Sequence, residues 1–267
     1  MIIGKKEFKN DHTHIMGILN VTPDSFSDGG LWSSLSEALR RTEQMIIEGA
    51  EIIDIGGEST RPGYTKIPDE EEIRRVVPVI RAIKARFDVP VSIDTYKSAV
   101  TLEALYAGAD MVNSIWGFKY DTKQADYSKE FNVPVCLSHN SESTEYNDFV
   151  PDVIKGLNEC VDIARAAGIG KDKIILDPGV GFGKTVEQNL QIMNNLDAIT
   201  ALGYPTLLGT SRKSVIGVTL GLPPEERLEG TLAASVIAVT KGAMFLRVHD
   251  IKENFRAVKM AEAILKS

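Results

Sequence analysis

The sequence predicts a (β/α)8 barrel, in which eight parallel strands alternate with helices around one axis. Three observations lead to this prediction. The chain has 267 residues and is 43% hydrophobic, which suits a single domain of barrel size over residues 1–267. Eight short apolar runs alternate with helical-period stretches, at about thirty residues per unit. Polar groups follow all of these runs, as expected where barrel strands end at a ligand site. A doubly wound sheet is the alternative architecture.

Several strands are marked by the residues that precede them. Gly49-Ala50, Gly108-Ala109 and Gly242-Ala243 each stand directly before a β-rich run. Glycine just past a helix adopts the left-handed conformation that ends it, so these pairs are helix-to-strand joints. Other strands contain or follow a proline. The eight predicted strands cover residues 15–19, 52–55, 89–93, 111–113, 133–137, 174–176, 204–208 and 244–246.

Helix starts are predicted from capping boxes, in which Ser, Thr or Asp is followed three residues later by Glu or Gln. The pairs with this spacing are Ser34 with Glu37, Asp69 with Glu72, Thr185 with Gln188, and Asp250 with Glu253. A further helix is expected over residues 148–168.

Composition excludes several classes of partner. The net charge of -7 and the pI of about 5.3 argue against nucleic acid and against an anionic membrane surface. A phosphate-bearing ligand therefore needs a local cluster of basic groups. The two cysteines form no disulfide framework, residues 1–11 show no signal peptide, and no apolar run approaches spanning length. We expect a cytoplasmic protein in a reducing compartment.

Two other candidate groups are interpreted without a functional role. Cys136 lies in a predicted buried strand and is expected to pack there rather than to act as a nucleophile. His12 and His14 alternate near the N-terminus, and we interpret both as facing solvent. A metal-binding pair is the less favoured alternative for these two histidines.

Residues 177–184 follow an apolar run and bring a carboxylate into a glycine-rich turn. Two phosphate-binding motifs fail to match this stretch. A P-loop requires glycine where Pro178 stands, and the glycines at 179, 181 and 183 miss the dinucleotide spacing by one residue. Asp177 could serve only to cap the next helix. Polar groups at the other strand ends favour a ligand site instead.

Those strand ends together predict one convergent site. They carry Asn20, the 56–63 loop, Asp94, Asn113, His139, Asp177, residues 211–213 and residues 247–249. One subset suits a flat heterocycle with an amidine-like edge, because a carboxylate accepts two parallel N–H bonds. Its members are Asp94, Asn113, Asp177 and Lys213. Arg247 and His249, with Asn20, form a predicted anion site beside the last helix. The alternative for Arg247 and His249 is a surface charge and a helix-flanking histidine.

Two glycine-rich loops, residues 20–30 and 56–63, are expected to act as mobile lids over the barrel mouth. They carry Phe26, Thr60, Arg61 and Pro62, which plain connectors would not need so close together.

Taken together, these motifs resemble the dihydropteroate synthase family. The matching stretches are residues 16–30, 56–63, 92–95, 177–184, 211–214 and 247–250, in the family's order along nearly the whole chain. The resemblance implies a TIM barrel that condenses 6-hydroxymethyl-7,8-dihydropterin pyrophosphate with p-aminobenzoate. The products would be 7,8-dihydropteroate and pyrophosphate, and no protein nucleophile would be needed.

The resemblance also implies roles for individual residues. The pterin ring would be held by Asp94, Asn113, Asp177 and Lys213, with Phe182 lining its pocket. The pyrophosphate would be held by Asn20, Thr60, Arg247 and His249, with Asn20 also serving a Mg2+ ion. The p-aminobenzoate side would be formed by Phe26, Thr60, Arg61, Pro62 and Ser214. The catalytic groups would be Asp94, Lys213, Arg247 and His249. The resemblance further implies inhibition by sulfonamides, which imitate p-aminobenzoate. It also implies a homodimer built on the late helices.

The sequence departs from the family pattern near two strands. Ser114 stands where Asp is usual, and Ser138 and Asn140 flank His139 where methionine is common. These departures leave the wall of the pterin pocket less defined. Two other functions stay open: a folate-dependent methyltransferase of the same superfamily, and a non-catalytic paralogue that binds pterin.

Overall fold

The structure is a computed structural model that describes residues 1–21, 30–58 and 66–267, with side chains in the second range from residue 35. Its strands are β1 (Ile2–Ile3), β2 (Lys6–Glu7), β3 (His14–Asn20), β4 (Ile52–Gly56), β5 (Val91–Asp94), β6 (Met111–Ser114), β7 (Val135–Ser138), β8 (Ile174–Asp177), β9 (Leu207–Leu208) and β10 (Phe245–Val248). Its helices are α1 (Gly30–Glu48), α2 (Asp69–Arg86), α3 (Ser98–Tyr106), α4 (Lys123–Glu130), α5 (Phe149–Ala166), α6 (Val186–Asn194), α7 (Leu196–Thr200), α8 (Ser214–Leu220), α9 (Leu228–Thr240) and α10 (Ile251–Leu265).

Strands β3 to β10 form one parallel sheet that curls until its two edges meet. The order runs from β8 down to β3 and then to β10 and β9, so the edge strands are β8 and β9. A parallel bridge between Leu176 and Thr206 joins these edges, and the Leu176 amide donates to the Pro205 carbonyl at 2.9 Å. The eight predicted strands and the (β/α)8 barrel are confirmed. A doubly wound sheet is excluded, because such a sheet keeps two open edges.

The Gly-Ala joints adopt the conformation that the sequence predicted. The φ angles of Gly49, Gly108 and Gly242 are 110°, 105° and 82°. Each glycine therefore ends a helix in the left-handed backbone conformation, which is strained for a residue with a side chain. The predicted helix over residues 148–168 is also present, as α5.

One predicted capping box is confirmed. Thr185 precedes α6, and its hydroxyl accepts from the Gln188 amide at 3.2 Å, while the Gln188 side chain accepts from the Thr185 amide at 2.8 Å. Two of the four orphan amides at this helix start are thereby satisfied.

The other three capping boxes are wrong. Helix α1 already begins at Gly30, before Ser34, and Pro68 rather than Asp69 precedes α2. Asp250 does precede α10, but its carboxylate pairs with Arg212 at 2.9 Å instead of capping the helix. A charged partner binds a carboxylate more strongly than a neutral backbone amide does, and the sequence spacing cannot reveal such a distant partner.

The barrel interior changes from apolar to polar along its strands. Successive strand residues point to opposite faces, so positions two apart share the interior. The lower layer is an apolar cluster of Met16, Ile52, Met111, Cys136, Ile175, Leu207 and Phe245. Two residues further along, the same strands carry Asp54, Asn113, Ser138, Asp177, Gly209 and Arg247. This pattern places a polar site at the carboxyl ends of the strands, and it confirms that Cys136 packs in the core.

Sequence analysis missed an N-terminal hairpin that covers the lower end of the barrel. Strands β1 and β2 pair antiparallel, and the Met1 amino group donates to the Phe8 carbonyl at 2.8 Å. Ile3 and Phe8 are 0% and 2% exposed and belong to the lower apolar layer. Two-residue strands are too short to produce a periodic signal, which is why the hairpin escaped prediction.

His14 lies beneath this hairpin, so its predicted exposure to solvent is wrong. Its side chain is 2% exposed, and its ring meets the Phe8 ring edge-on with centroids 4.9 Å apart. His12 is half-buried, with 31% of its side chain exposed. None of the described helices combines the length and apolar character needed to cross a membrane.

The hairpin offers a direct test with two adjacent isoleucines. Ile3→Ala should lower the free energy of unfolding by about 2–5 kcal/mol, because it opens a cavity in the lower layer. Ile2→Ala is the matched control: Ile2 is 66% exposed, and its truncation should stay within about 0.5 kcal/mol. Urea unfolding of both variants provides the measurement. Equal losses would show that the hairpin does not close the barrel.

Candidate active site

A buried ion cluster lies at the centre of the barrel mouth. Arg247 on β10 reaches across the interior to two carboxylates on β4 and β5. Its Nε contacts Asp54 Oδ2 at 2.5 Å, and its Nη2 contacts Asp94 Oδ2 at 2.5 Å. Asp54 is 0% exposed and Asp94 is 8% exposed. Three strands are thus held together by charge-assisted bonds, and three of the five guanidinium hydrogens stay available for a ligand.

Hydrogen-bond acceptors without a donor collect around this cluster. Asn113 on β6 donates through Nδ2 to Asp54 Oδ2 at 3.2 Å, which directs its carbonyl oxygen into the mouth. Within the described residues, Asp54 Oδ1, Asp94 Oδ1 and Asn113 Oδ1 are buried and lack a hydrogen-bond partner. Buried acceptors of this kind cost free energy unless a donor reaches them. The arrangement therefore favours a ligand rich in N–H groups.

Asp177 adds a further carboxylate at the end of β8. Its Oδ1 accepts from the Gly179 amide at 2.7 Å, and its Oδ2 accepts from the Ser138 hydroxyl at 3.3 Å. The side chain is 6% exposed, and burial raises its pKa, with the charge of Lys213 opposing that shift. The predicted strand-to-loop carboxylate is confirmed as a buried group, and it does not cap α6, since Thr185 does so.

Lys213 provides a cation on the same side of the mouth. Its ammonium donates to the Val180 carbonyl and lies over the Phe182 ring, 4.6 Å from the centroid. Burial lowers the pKa of Lys213 to about 8, although Asp177 pulls in the opposite direction. The 177–184 loop and Lys213 therefore bring together a carboxylate, a cation and an aromatic face.

Burial has the opposite effect on the pKa of Asp94. It raises the pKa of Asp94 to about 7, even though Arg247 favours the ionised form. Asp54 contributes to this shift, because two carboxylates share one guanidinium. Asp94 is thus a carboxylate whose charge can change near neutral pH.

His249 and Asn20 lie at the rim of the site. The His249 ring contacts the Ser211 hydroxyl through Nδ1 at 3.0 Å, and its backbone amide donates to the same oxygen at 3.1 Å. Asn20 Oδ1 and Asp94 Oδ2 lie 3.6 and 3.7 Å from the place that a Cβ on Gly56 would occupy. Two side-chain oxygen atoms therefore lie near Gly56, and oxygen is the ligand type that a hard cation prefers.

Two of the residues that depart from the family pattern, Ser114 and Ser138, have hydrogen-bond partners in the structure. Ser114 points away from the barrel interior and donates to Gln124 at 3.0 Å. Ser138 is the interior residue that donates to Asp177. The Ser114 change therefore lies behind the site, while Ser138 adds a polar contact within it.

Four predicted site residues, Phe26, Thr60, Arg61 and Pro62, lie outside the described residues, and so do most of the two loops interpreted as lids. The base of the second loop is described. Glu58 accepts from the Ile67 amide at 2.7 Å and from Lys97 at 2.8 Å, so it joins the residues on either side of positions 59–65. Ser214, the first residue of α8, is exposed at the rim.

Sequence analysis missed two residues that build the site. Asp54 occupies the middle of an apolar strand, and an acid inside such a run was the available signal. Lys184 donates to His139 Nδ1 at 2.9 Å and to the carbonyls of Gly179 and Phe182 at 3.1 and 3.0 Å. Burial lowers the pKa of Lys184 to about 7 and that of His139 to about 3. A neutral His139 therefore accepts from Lys184, which anchors the loop after Asp177.

Comparison with known proteins identifies the family. The pterin binding enzyme family model matches residues 16–249. The chain is 57% identical to the dihydropteroate synthase of Clostridium beijerinckii over 100% of both chains. It is 52% identical to that of Bacillus subtilis, over 96% of this chain and 90% of the relative.

Solved structures lead to the same family. A dihydropteroate synthase from Clostridium difficile, crystallised in the presence of pteroic acid, superposes with a TM-score of 0.95 at 46% identity, covering 98% of this chain and 100% of the other. A Yersinia pestis enzyme with a sulfonamide drug superposes with a TM-score of 0.94 at 40% identity, covering 100% of this chain and 99% of the other. A Xanthomonas albilineans enzyme with 4-aminobenzoic acid superposes with a TM-score of 0.92 at 41% identity, covering 97% of this chain and 95% of the other.

The chain therefore belongs to the pterin binding enzyme family, and within that family to the dihydropteroate synthases. The barrel, the polar mouth and the sequence relatives point to one enzyme class, a transferase of the folate pathway.

The ion cluster predicts a specific loss of stability. Asp54→Ala should lower the free energy of unfolding by about 3–5 kcal/mol, because it leaves Arg247 with an incomplete set of buried partners. Glu43→Ala, which removes an exposed carboxylate 3.5 Å from Arg86, should have little effect. Chemical denaturation of both variants tests this expectation. A stable Asp54→Ala protein would mean that Asp94 alone satisfies Arg247.

Proposed function

We propose that this site condenses 6-hydroxymethyl-7,8-dihydropterin pyrophosphate with p-aminobenzoate, releasing pyrophosphate and 7,8-dihydropteroate. One observation carries the proposal: buried acceptors of Asp54, Asp94 and Asn113 lie at the Arg247 cluster and lack donors within the described residues. A dihydropterin ring presents an amino-pyrimidinone edge with several N–H groups, which would satisfy such acceptors. The named activity of full-length relatives supports the same substrates.

The ring would lie between the carboxylates and Lys213. Asp177 can accept from the amino group and a neighbouring ring N–H, because its two oxygens match a pair of parallel donors. The Lys213 ammonium can donate to the ring carbonyl, and Phe182 beneath it offers an apolar face. Asp94 and Asn113 would bind the far side of the ring, nearer the reacting methylene carbon.

The reaction would be a substitution at that carbon. The ring nitrogen can donate electron density to the methylene, so the bond to the pyrophosphate oxygen can break substantially before the amine attacks. Asp94, as a carboxylate, opposes the positive charge that develops on the pterin. The aromatic amine is neutral near neutral pH and uses its own lone pair. Attack of the lone pair forms the new C–N bond, and the amine nitrogen then loses a proton to solvent.

The leaving pyrophosphate would be stabilised at the rim. Arg247 keeps three N–H hydrogens beyond its two carboxylate contacts, and His249 is held by Ser211 beside the start of α10. The attraction of Arg247 and His249 for the leaving group grows as negative charge moves onto the leaving oxygen. This attraction therefore stabilises the transition state more than the bound substrate, and so lowers the barrier. Asn20 would hold a Mg2+ ion through its side-chain oxygen, which lies near Gly56. When bound, Mg2+ neutralises phosphate charge.

p-Aminobenzoate would bind toward the outer rim, where Ser214 begins α8 and where Phe26, Thr60, Arg61 and Pro62 belong in the chain. Thr60 would also contact the pyrophosphate. Support comes from related proteins, one of which is described with 4-aminobenzoic acid and another with a sulfonamide drug. We infer that sulfonamides occupy the same position in this chain and compete with p-aminobenzoate.

The condensation itself is tested by measuring pyrophosphate release from the purified chain. We expect release that requires both the pterin pyrophosphate and p-aminobenzoate, with 7,8-dihydropteroate formed in equal amount. Methyltetrahydrofolate with a corrinoid acceptor should give no turnover. Methyl transfer without condensation would favour the methyltransferase, and pterin binding without either reaction would favour a non-catalytic paralogue.

The two shifted pKa values predict a narrow pH optimum. Asp94 must lose a proton, so kcat/KM should rise as pH passes about 7. Lys213 must keep its proton, so kcat/KM should fall as pH passes about 8. The kcat/KM profile reports groups of the free enzyme and is therefore the quantity to measure. Lys213→Arg should remove the fall on the alkaline side, because guanidinium stays charged. An unchanged alkaline limb in that variant would assign it to another group.

A second copy of the chain is the proposed partner. Helices α6, α8 and α9 share an apolar groove lined by Leu190, Met193, Val215, Ile216, Leu220, Ala233, Ala234 and Ile237. Leu190, Leu220 and Ile237 are 43%, 50% and 46% exposed there. A contiguous apolar face of this kind is typical of a protein interface. A homodimer in the cytoplasm, built on these late helices, accounts for it.

The dimer is tested with a charge placed in the groove. Ile237→Glu should shift the molar mass measured by light scattering from two chains toward one, because a carboxylate cannot be buried there without a partner. Ile47→Glu is the control, since Ile47 is 74% exposed on α1, away from the groove. A wild-type protein that already scatters as one chain would refute the dimer.

A further inference from the structure

A cluster of metal-ligating side chains lies at the lower end of the barrel, opposite the site described above. It consists of His12, His14 and Glu51, whose ligand atoms all lie within 4.8 Å of one another. His14 Nδ1 is 2.9 Å from Glu51 Oε2, and His12 Nε2 is 3.7 Å from Glu51 Oε1. The two imidazole rings are stacked at a tilt, with centroids 4.0 Å apart.

The outer contacts of both rings determine which nitrogen carries hydrogen. His14 Nε2 is 2.9 Å from the Lys9 carbonyl oxygen, which can only accept, so Nε2 carries the hydrogen. His12 Nδ1 is 2.6 Å from an Asp11 carboxylate oxygen, so Nδ1 carries the hydrogen there. In the neutral rings, His14 Nδ1 and His12 Nε2 therefore both direct lone pairs toward the Glu51 carboxylate.

Lone pairs facing a carboxylate repel it unless positive charge lies between them. The ligand atoms of His12, His14 and Glu51 all lie within 4.8 Å of one another, so one ion can reach all three. A single divalent cation satisfies both nitrogens and the carboxylate at once.

We propose that His12, His14 and Glu51 bind one zinc ion, with a water molecule as the fourth ligand. Two imidazoles and a carboxylate form a ligand set that zinc accepts in tetrahedral geometry. The outer contacts match what zinc-binding histidines require, since each ring donates its second N–H to a carboxylate or a carbonyl. Asp11 and the Lys9 carbonyl serve as these orienting groups.

The position of the site indicates a structural role. His12 and His14 join the N-terminal hairpin to β3, and Glu51 joins α1 to β4. A zinc ion would fasten the segment after the barrel-closing hairpin to the neighbouring strand. Asn20 at the rim of the site is about 20 Å away, because six residue steps of about 3.3 Å each separate it from His14. The ion would therefore stabilise the fold without taking part in condensation.

Metal binding to the full chain, first stripped with a chelator, tests the proposal. Cobalt(II) replaces zinc as a visible probe, and its absorption strength reports four-coordinate geometry. We expect one Co2+ per chain, displaced by one Zn2+, and a higher Tm with zinc. Asp11→Asn should weaken zinc binding about 10–100-fold by removing the orienting carboxylate. His12→Ala and Glu51→Gln should weaken it by at least about 100-fold, because each loses a ligand.

Two further measurements make the outcome decisive. Glu43→Gln, which removes an equal charge from α1 outside the cluster, should bind zinc like the wild type. His12→Ala should keep the wild-type kcat/KM while losing the zinc-dependent rise in Tm. The proposal fails if the wild type binds no zinc at micromolar concentration. It also fails if His12→Ala binds zinc as tightly as the wild type.

Discussion

The buried contact of one guanidinium with two carboxylates is the constraint on which the barrel mouth depends. Arg247 joins Asp54 and Asp94, so strands β4, β5 and β10 are held at fixed separation. Burying such ions costs several kcal/mol each unless every partner is well placed. Two carboxylates with one cation also leave excess negative charge and unmatched acceptors in the centre. This excess negative charge would stabilise a bound ring that carries positive charge.

The same strand faces give the two ends of the barrel different properties. Below the ion cluster, alternate strand positions carry Met, Ile, Leu and Phe, and the N-terminal hairpin covers that end. Above it, positions two residues further along carry carboxylates, amides and basic groups. The apolar layer excludes water from beneath the site, which strengthens the charge interactions above it. This low-dielectric floor is also the reason that Asp94 and Lys213 have shifted pKa values.

Rigidity around the ring site comes from contacts behind it. Lys184 supplies its three hydrogens to acceptors on the 177–184 loop and on His139. Gly179 has a φ of 70°, and a Cβ there would lie 1.8 Å from the His139 carbonyl oxygen. The close approach of these two segments therefore requires glycine. It holds Asp177 in place before any ligand arrives, which reduces the ordering cost of binding.

Sequence periodicity by itself determined the barrel, because apolar runs, glycine joints and polar strand ends are local features that recur along the chain. It also located Asp94, Asn113 and Asp177, since each directly follows or ends such a run, and Lys213, which lies in the segment after the seventh run. It could not identify Asp54 as part of the site, nor the pairing of Asp250 with Arg212. Those contacts join residues far apart in the chain, and only closure of the sheet brings them within bonding distance. Tertiary structure likewise decided that His14 is buried beneath a hairpin whose strands are too short to show a period.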